Sequence, residues 1–184
     1  LSTKAPENTL SAFKLAWESG VPGVELDVRL TADDQIVVIH DSSLKRTTGE
    51  EGYVEETNLE TLKTYDAGNG EKIPLLSEVF DAAPDNAYFD IEMKVEGRNA
   101  RELALALSKV ISEYQMDDCC IVSSFYPSGL REIGIAAPRV PTALIYSERL
   151  VKEHKIQHFF ARLFSAPTVL KPEWTIMEDS LRHL

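Results

Sequence analysis

The sequence predicts a parallel α/β fold, a barrel of the (β/α)8 kind. Three observations carry this expectation. Short apolar runs alternate with amphipathic, helix-like stretches along nearly the whole chain, the order that builds parallel sheets with helical crossovers. Some runs are apolar on consecutive residues, as in QIVVIH, which suits strands covered on both faces. The competing doubly wound sheet lacks support, because no glycine-rich phosphate loop follows a strand. At 184 residues the chain is shorter than the about 250 of a full barrel. It shows no fixed-period repeat, low-complexity tract or Gly/Ser linker, so residues 1–184 read as a single domain.

Each element has its own justification. ENTLSAFKLAWESG reads as the first helix, with Asn8 or Thr9 as its cap, a stripe from Leu10 to Trp17 and Gly20 as its stop. VELDVRL is the first strand and QIVVIH the second, separated by a turn at Asp33-Asp34. DSSLKRTTGEEGYVEE is a polar loop, followed by short helices in LETLKTYDAG and PLLSEVFDAA. YFDIEMKV is the third strand, RNARELALALSKVISEY the strongest helix, and CIVSSF the fourth strand. PSGLREIGIAA is helical and TALIYS is the fifth strand. ERLVKEHKIQ reads as helix, FFARLFSAPTVL is ambiguous, and EDSLRHL begins a helix that the chain end cuts off.

Composition narrows the function. A net charge of -11 repels nucleic acid and anionic membranes. No apolar run approaches the ~20 residues of a membrane span. An anionic substrate then requires local positive charge, such as a metal ion. The adjacent Cys119 and Cys120 imply no disulfide framework and read as buried core thiols. A cytoplasmic location is the default expectation, with an exported form left open because no initiating Met is seen; the oligomeric state stays unassigned.

The chemistry lies in three strands with polar ends. Residues two apart in a strand share a face. Glu25 and Asp27 therefore point one way, as do Asp90, Glu92 and Lys94, and the second strand ends in His40-Asp41. In a parallel barrel the C-terminal strand ends form one rim, where active sites sit. Three carboxylates, Glu25, Asp27 and Glu92, make a hard oxygen site suited to Mg²⁺ or Ca²⁺. Lys94 adds a charge for phosphate, and His40 titrates near neutrality and can pass a proton to a leaving alkoxide. Each piece alone is weak: E-x-D is commonly a solvated face, a lone His is commonly structural, and D-x-E-x-K can be an ion pair. Their co-occurrence points to metal-assisted cleavage of a phosphate ester.

The same residues carry a family resemblance. APENTLSAF, GVELDVRLTADDQIVVIHDSSLKRTTG, IPLLSEVF and DIEMK, in this order over residues 5–94, resemble the glycerophosphodiester phosphodiesterase family, and SSF at 123–125 resembles its strand-5 motif. The resemblance implies a (β/α)8 barrel that uses Mg²⁺ or Ca²⁺ to hydrolyse glycerophosphodiesters, such as glycerophosphocholine, to sn-glycerol 3-phosphate and an alcohol. It places metal ligands at Glu25, Asp27 and Glu92, a catalytic histidine at His40 and a phosphate-side cation at Lys94. Glu7, Asn8, Arg46 and Thr47 match motifs read as mainly structural, with metal-site support open to Glu7 and Asn8.

Two departures accompany the resemblance. The family's first strand ends in His-Arg-Gly, which supplies its other catalytic histidine, and its last strand has a Trp-Thr-Asn-like end. The first would precede residue 1 and the second would follow residue 184, so the chain reads as an internal fragment, expected to be poorly stable and nearly inactive alone. Trp174 lies too early for the last motif. His154, His158 and His183 do not replace the missing histidine. The alternatives are a phospholipase D of the sphingomyelinase type and a non-catalytic phosphate-binding module.

Overall fold

The computed structural model describes residues 4–95, 100–146 and 164–172. The segments read as helix at 148–157 and 178–184, with His154, His158, Trp174 and His183, lie outside those residues. Among the described residues one sheet has the order β2-β1-β3-β4-β5-β6. Its strands are β1 (Gly23–Leu30), β2 (Ile36–Val38), β3 (Tyr88–Met93), β4 (Cys120–Ser124), β5 (Thr142–Tyr146) and β6 (Val169–Pro172). β1, β3, β4, β5 and β6 are parallel neighbours in series. Helices α5 (Ala100–Glu113) and α6 (Pro127–Ala136) make the crossovers from β3 to β4 and from β4 to β5. β6 begins within the last two residues of the stretch left ambiguous in sequence.

The strand alternation sorts side chains onto two surfaces. Val24, Leu26, Val28, Phe89, Ile91, Met93 and Val122 pack under the helices in the main core, against Phe13 and Ala16 of α1 (Leu10–Glu18) and Leu103, Ala104 and Leu107 of α5. Thr9 caps α1, its Oγ1 accepting from the Ala12 N–H, and Gly20 beyond its end takes φ 81°. The other surface carries the polar rows, and it is concave. Lys171 on β6 lies three strands from β3, roughly 14 Å along a flat sheet. Its Nζ nevertheless donates to Asp90 Oδ2 on β3 at 2.6 Å. Only a sheet curled as in a barrel brings them together.

One expectation is corrected. QIVVIH is not another parallel strand: β2 runs antiparallel to β1, with Val28 opposite Val38 and Leu30 opposite Ile36. The connection is only Thr31–Gln35, whereas a parallel crossover needs about a dozen residues or more. The turn closes as Thr31 Oγ1 donates to Asp33 Oδ1 and accepts from the Gln35 N–H, with Asp34 at φ 58°. The run is apolar on consecutive residues because two different cores cover it. Ile36 and Val38 face the main core, and Val37 and Ile39 face a second cluster with Leu44, Val54, Leu62, Ala67 and Ile73. That cluster lies beneath the segment between β2 and α4 (Leu76–Ala82), so the polar loop is pinned by Val54, which is fully buried.

Candidate active site

The concave surface gathers the acidic residues by sheet register. Asp27 on β1 stands opposite Glu92 on β3, and Glu25 opposite Asp90. Glu25, Asp27 and Glu92 each offer a carboxylate oxygen within 4.8 Å of the others. Lys94 sits among them, Nζ 2.9 Å from Asp27 Oδ1 and 2.5 Å from Glu92 Oε1. Asp27 and Glu92 are buried, while Glu25 opens to solvent on one side and is crowded by protein on the others. Burial first, then the charges of Asp27 and Glu92, push the Glu25 carboxyl up to about 7, and Lys171 opposes that rise. One ammonium does not balance this group. The donor set is all oxygen; Lys94 already lies between two of the carboxylates, and Lys171 is paired with Asp90. That chemistry fits a divalent ion held by Glu25, Asp27 and Glu92.

Asn8 supports this group. Its Nδ2 donates to Asp27 Oδ2 at 2.8 Å, and its Oδ1 accepts from the Asp27 N–H at 3.3 Å. Asn8 adopts φ 56°, a left-handed conformation that asparagine tolerates better than most residues. One oxygen of Asp27 thus faces Asn8 and the other faces Lys94. Level with Glu25 on the neighbouring strand, Asp90 accepts from Ser123 Oγ at 2.6 Å and from Lys171, so it forms a separate ion pair beside the triad.

His40 reaches the site through the hairpin. The Ile39 N–H donates to the Asp27 carbonyl at 2.9 Å, so the residue after Ile39 emerges level with the carboxylates. Glu25, Asp27 and His40 line one cleft of about 450 Å³, together with Glu7 and Asn8. Arg29, the next inward residue of the Glu25–Asp27 row, donates through Nε to the His40 carbonyl at 2.9 Å and pairs with Glu55 at 2.8 Å. Ser42 Oγ also donates to Glu55, at 2.6 Å. Arg29 was overlooked in the sequence, although it continues the i, i+2 pattern of VELDVRL. The structure thus places Lys94 against Asp27 and Glu92, and His40 on one cleft with Glu25 and Asp27, with an antiparallel return in place of a parallel strand.

The cysteines divide. Cys120 is buried, and burial, followed by the nearby Asp117, pushes its thiol up to about 12; Cys119 is only half-buried, which corrects the reading of both as core thiols.

A curled parallel sheet with an oxygen-rich, acidic site on its concave face defines a barrel-type α/β protein of the kind that takes a divalent cation. Its sequence matches the model of the glycerophosphoryl diester phosphodiesterase family over residues 1–180, and the chain belongs to that family. It is 41% identical over 159 residues to a glycerophosphodiester phosphodiesterase of Caldanaerobacter subterraneus, covering 82% of this chain and 65% of that protein. The chain thus spans somewhat under two thirds of that relative's length. Among solved structures, it resembles the glycerophosphodiester phosphodiesterase of Thermotoga maritima with a TM-score of 0.76 at 31% identity, covering 96% of this chain and 72% of that one. An Oleispira antarctica phosphodiesterase, solved in complex with the product sn-glycerol-3-phosphate, matches with a TM-score of 0.78 at 28% identity over 87% of this chain and 68% of its own.

Proposed function

We propose that this chain is the metal-binding part, with one acid/base histidine, of a phosphodiesterase. The enzyme hydrolyses glycerophosphodiesters to sn-glycerol 3-phosphate and an alcohol. The observation that carries the reading is the carboxylate triad, of which Glu25 and Asp27 open onto the same cleft as His40. The product bound in the Oleispira relative supports the substrate class. Residues 1–184 act as one catalytic unit in this reading, and a cytoplasmic location agrees with two free cysteines.

Each residue has a role. Glu25, Asp27 and Glu92 hold Mg²⁺ or Ca²⁺, which when bound supplies a Lewis acid for the phosphodiester's non-bridging oxygens. Lys94, whose ammonium lies beside Asp27 and Glu92, would offer a positive charge to a phosphate oxygen. His40 protonates the leaving alcohol. Asn8 orients Asp27, and Arg29 fixes the backbone at His40.

The test is release of sn-glycerol 3-phosphate from glycerophosphocholine by the full-length protein with Mg²⁺, with Ca²⁺ and with EDTA. Metal-dependent release is expected, and Glu25→Ala or His40→Ala should each lower the rate at least ~10²-fold. A folded protein that releases nothing with either metal overturns the reading.

A further inference from the structure

We propose that Glu7, Arg46 and Asp41 are positioning residues for His40. They form one hydrogen-bonded chain that fixes the tautomer of its ring and ties it to the turn that also holds Asp27. The inference rests on the phosphodiesterase reading and names residues that the motif match left as structural.

The contacts are continuous. His40 Nδ1 lies 2.6 Å from Asp41 Oδ1. The other Asp41 oxygen accepts from Arg46 Nε at 2.5 Å. Arg46 Nη2 donates to Glu7 Oε1 at 2.6 Å. A carboxylate only accepts, so the proton of the neutral ring resides on Nδ1, and Nε2 is the nitrogen free to exchange a proton with substrate. Both Asp41 oxygens are engaged, so its carboxylate cannot turn away from the ring without breaking the bond to Arg46.

Stability does not explain the arrangement. His40 and Arg46 are 51% and 52% exposed, and exposed ion pairs contribute little to stability. What the chain supplies is direction. Arg46 holds the Asp41 carboxyl at about 2, well below the usual carboxylate range, so the group facing the ring is a carboxylate anion. At the far end, Glu7 immediately precedes Asn8, which braces the strand-borne Asp27 on both its side chain and its N–H. The Glu7–Asn8 turn therefore holds both parts of the site. One residue sets the histidine through Arg46 and Asp41, and the next sets a carboxylate of the triad.

The experiment is long-range ¹H–¹⁵N NMR of the histidine rings in this chain, at a pH where they are neutral, with His40 assigned by loss of its signals in His40→Gln. The wild-type ring is expected as the Nδ1–H tautomer. Asp41→Asn and Arg46→Ala are expected to shift it toward the Nε2–H form, Arg46→Lys and Glu7→Gln partway. Backbone amide spectra report folding in each case, and Arg46→Gln replaces Arg46→Ala should the latter not fold. A His40 tautomer unchanged in Asp41→Asn and in the folded Arg46 variant overturns the proposal. This readout needs no turnover, so absence of diester hydrolysis by the full-length protein defeats the parent reading alone. In the active full-length protein, Asp41→Asn lowers kcat about 10²-fold with KM nearly unchanged.

Discussion

The two halves of the site are built by opposite means. Asp27 and Glu92 face each other through the register of two paired strands, and their side chains are 7% and 9% exposed. Packing of the same strands under the helices fixes their positions, and Asn8 adds a local brace on Asp27. His40 and Asp41 stand beyond the last residue of an edge strand, the ring half exposed, and their orientation depends on hydrogen bonds that reach Arg46 and then Glu7, 39 residues away in sequence. A buried, strand-borne group inherits its geometry from the fold. An exposed, loop-borne group needs its own scaffold of charges.

The contrast can be broken most severely on the strand side. Glu92→Gln keeps the shape but removes a ligand charge from the buried triad, and should weaken Mg²⁺ or Ca²⁺ binding at least ~10²-fold. Isothermal calorimetry of the folded variant measures this, and an affinity equal to wild type would remove the triad as the cation site. A smaller effect is expected from Asn8→Ala, which leaves every ligand in place but frees Asp27. Loss of such supporting contacts costs roughly 10–100-fold in metal affinity. If Asn8→Ala binds as wild type does, strand register alone positions Asp27, and the contrast between the halves becomes sharper.

How legible each half was follows from the same physics. The period of two in VELDVRL and DIEMK announces a shared face, and register then brings Asp27 to Glu92, so the triad could be read directly. Arg29 obeyed the same period and was passed over because it is basic. Its buried bond to the His40 carbonyl has no local sequence signal. The antiparallel turn of β2 was misjudged because apolar residues at Val37 and Ile39 were credited to a parallel neighbour rather than to a cluster under the following loop. The brevity of Thr31–Gln35 was the signal that decided it. The links from Asp41 to Arg46 to Glu7 join segments by tertiary contact alone, so the residue types were visible but their partnership was not.

The second core offers a milder way to separate the halves. Ile39 is almost fully buried in the cluster below the 40–75 segment, immediately before His40. Ile39→Val should lower stability by about 0.5–1.5 kcal/mol, because only a methylene is lost. Denaturant unfolding gives that number, and cation affinity should not change, since the carboxylates belong to the other strands. A parallel loss of metal binding would show that the second core also holds the triad.

The smallest effect expected concerns Asp41 and has a definite sign with pH. Its folded-state carboxyl is depressed to about 2, chiefly by the bond to Arg46, whereas an unfolded chain has a value near ~3.9. A depressed carboxyl contributes stability that is fully present above the unfolded value and is lost as pH falls toward the folded one. Asp41→Asn should therefore be less stable than wild type near neutrality by no more than about 1 kcal/mol, because the pair is partly exposed and screened. The difference should shrink from about pH 5 downward and diminish further at high salt. Urea unfolding of both proteins at neutral pH and near pH 3 tests this. A gap that widens toward acid would mean that Asp41 is not the ionised partner of Arg46 in the folded chain, and the scaffold of the exposed half would lose its central member.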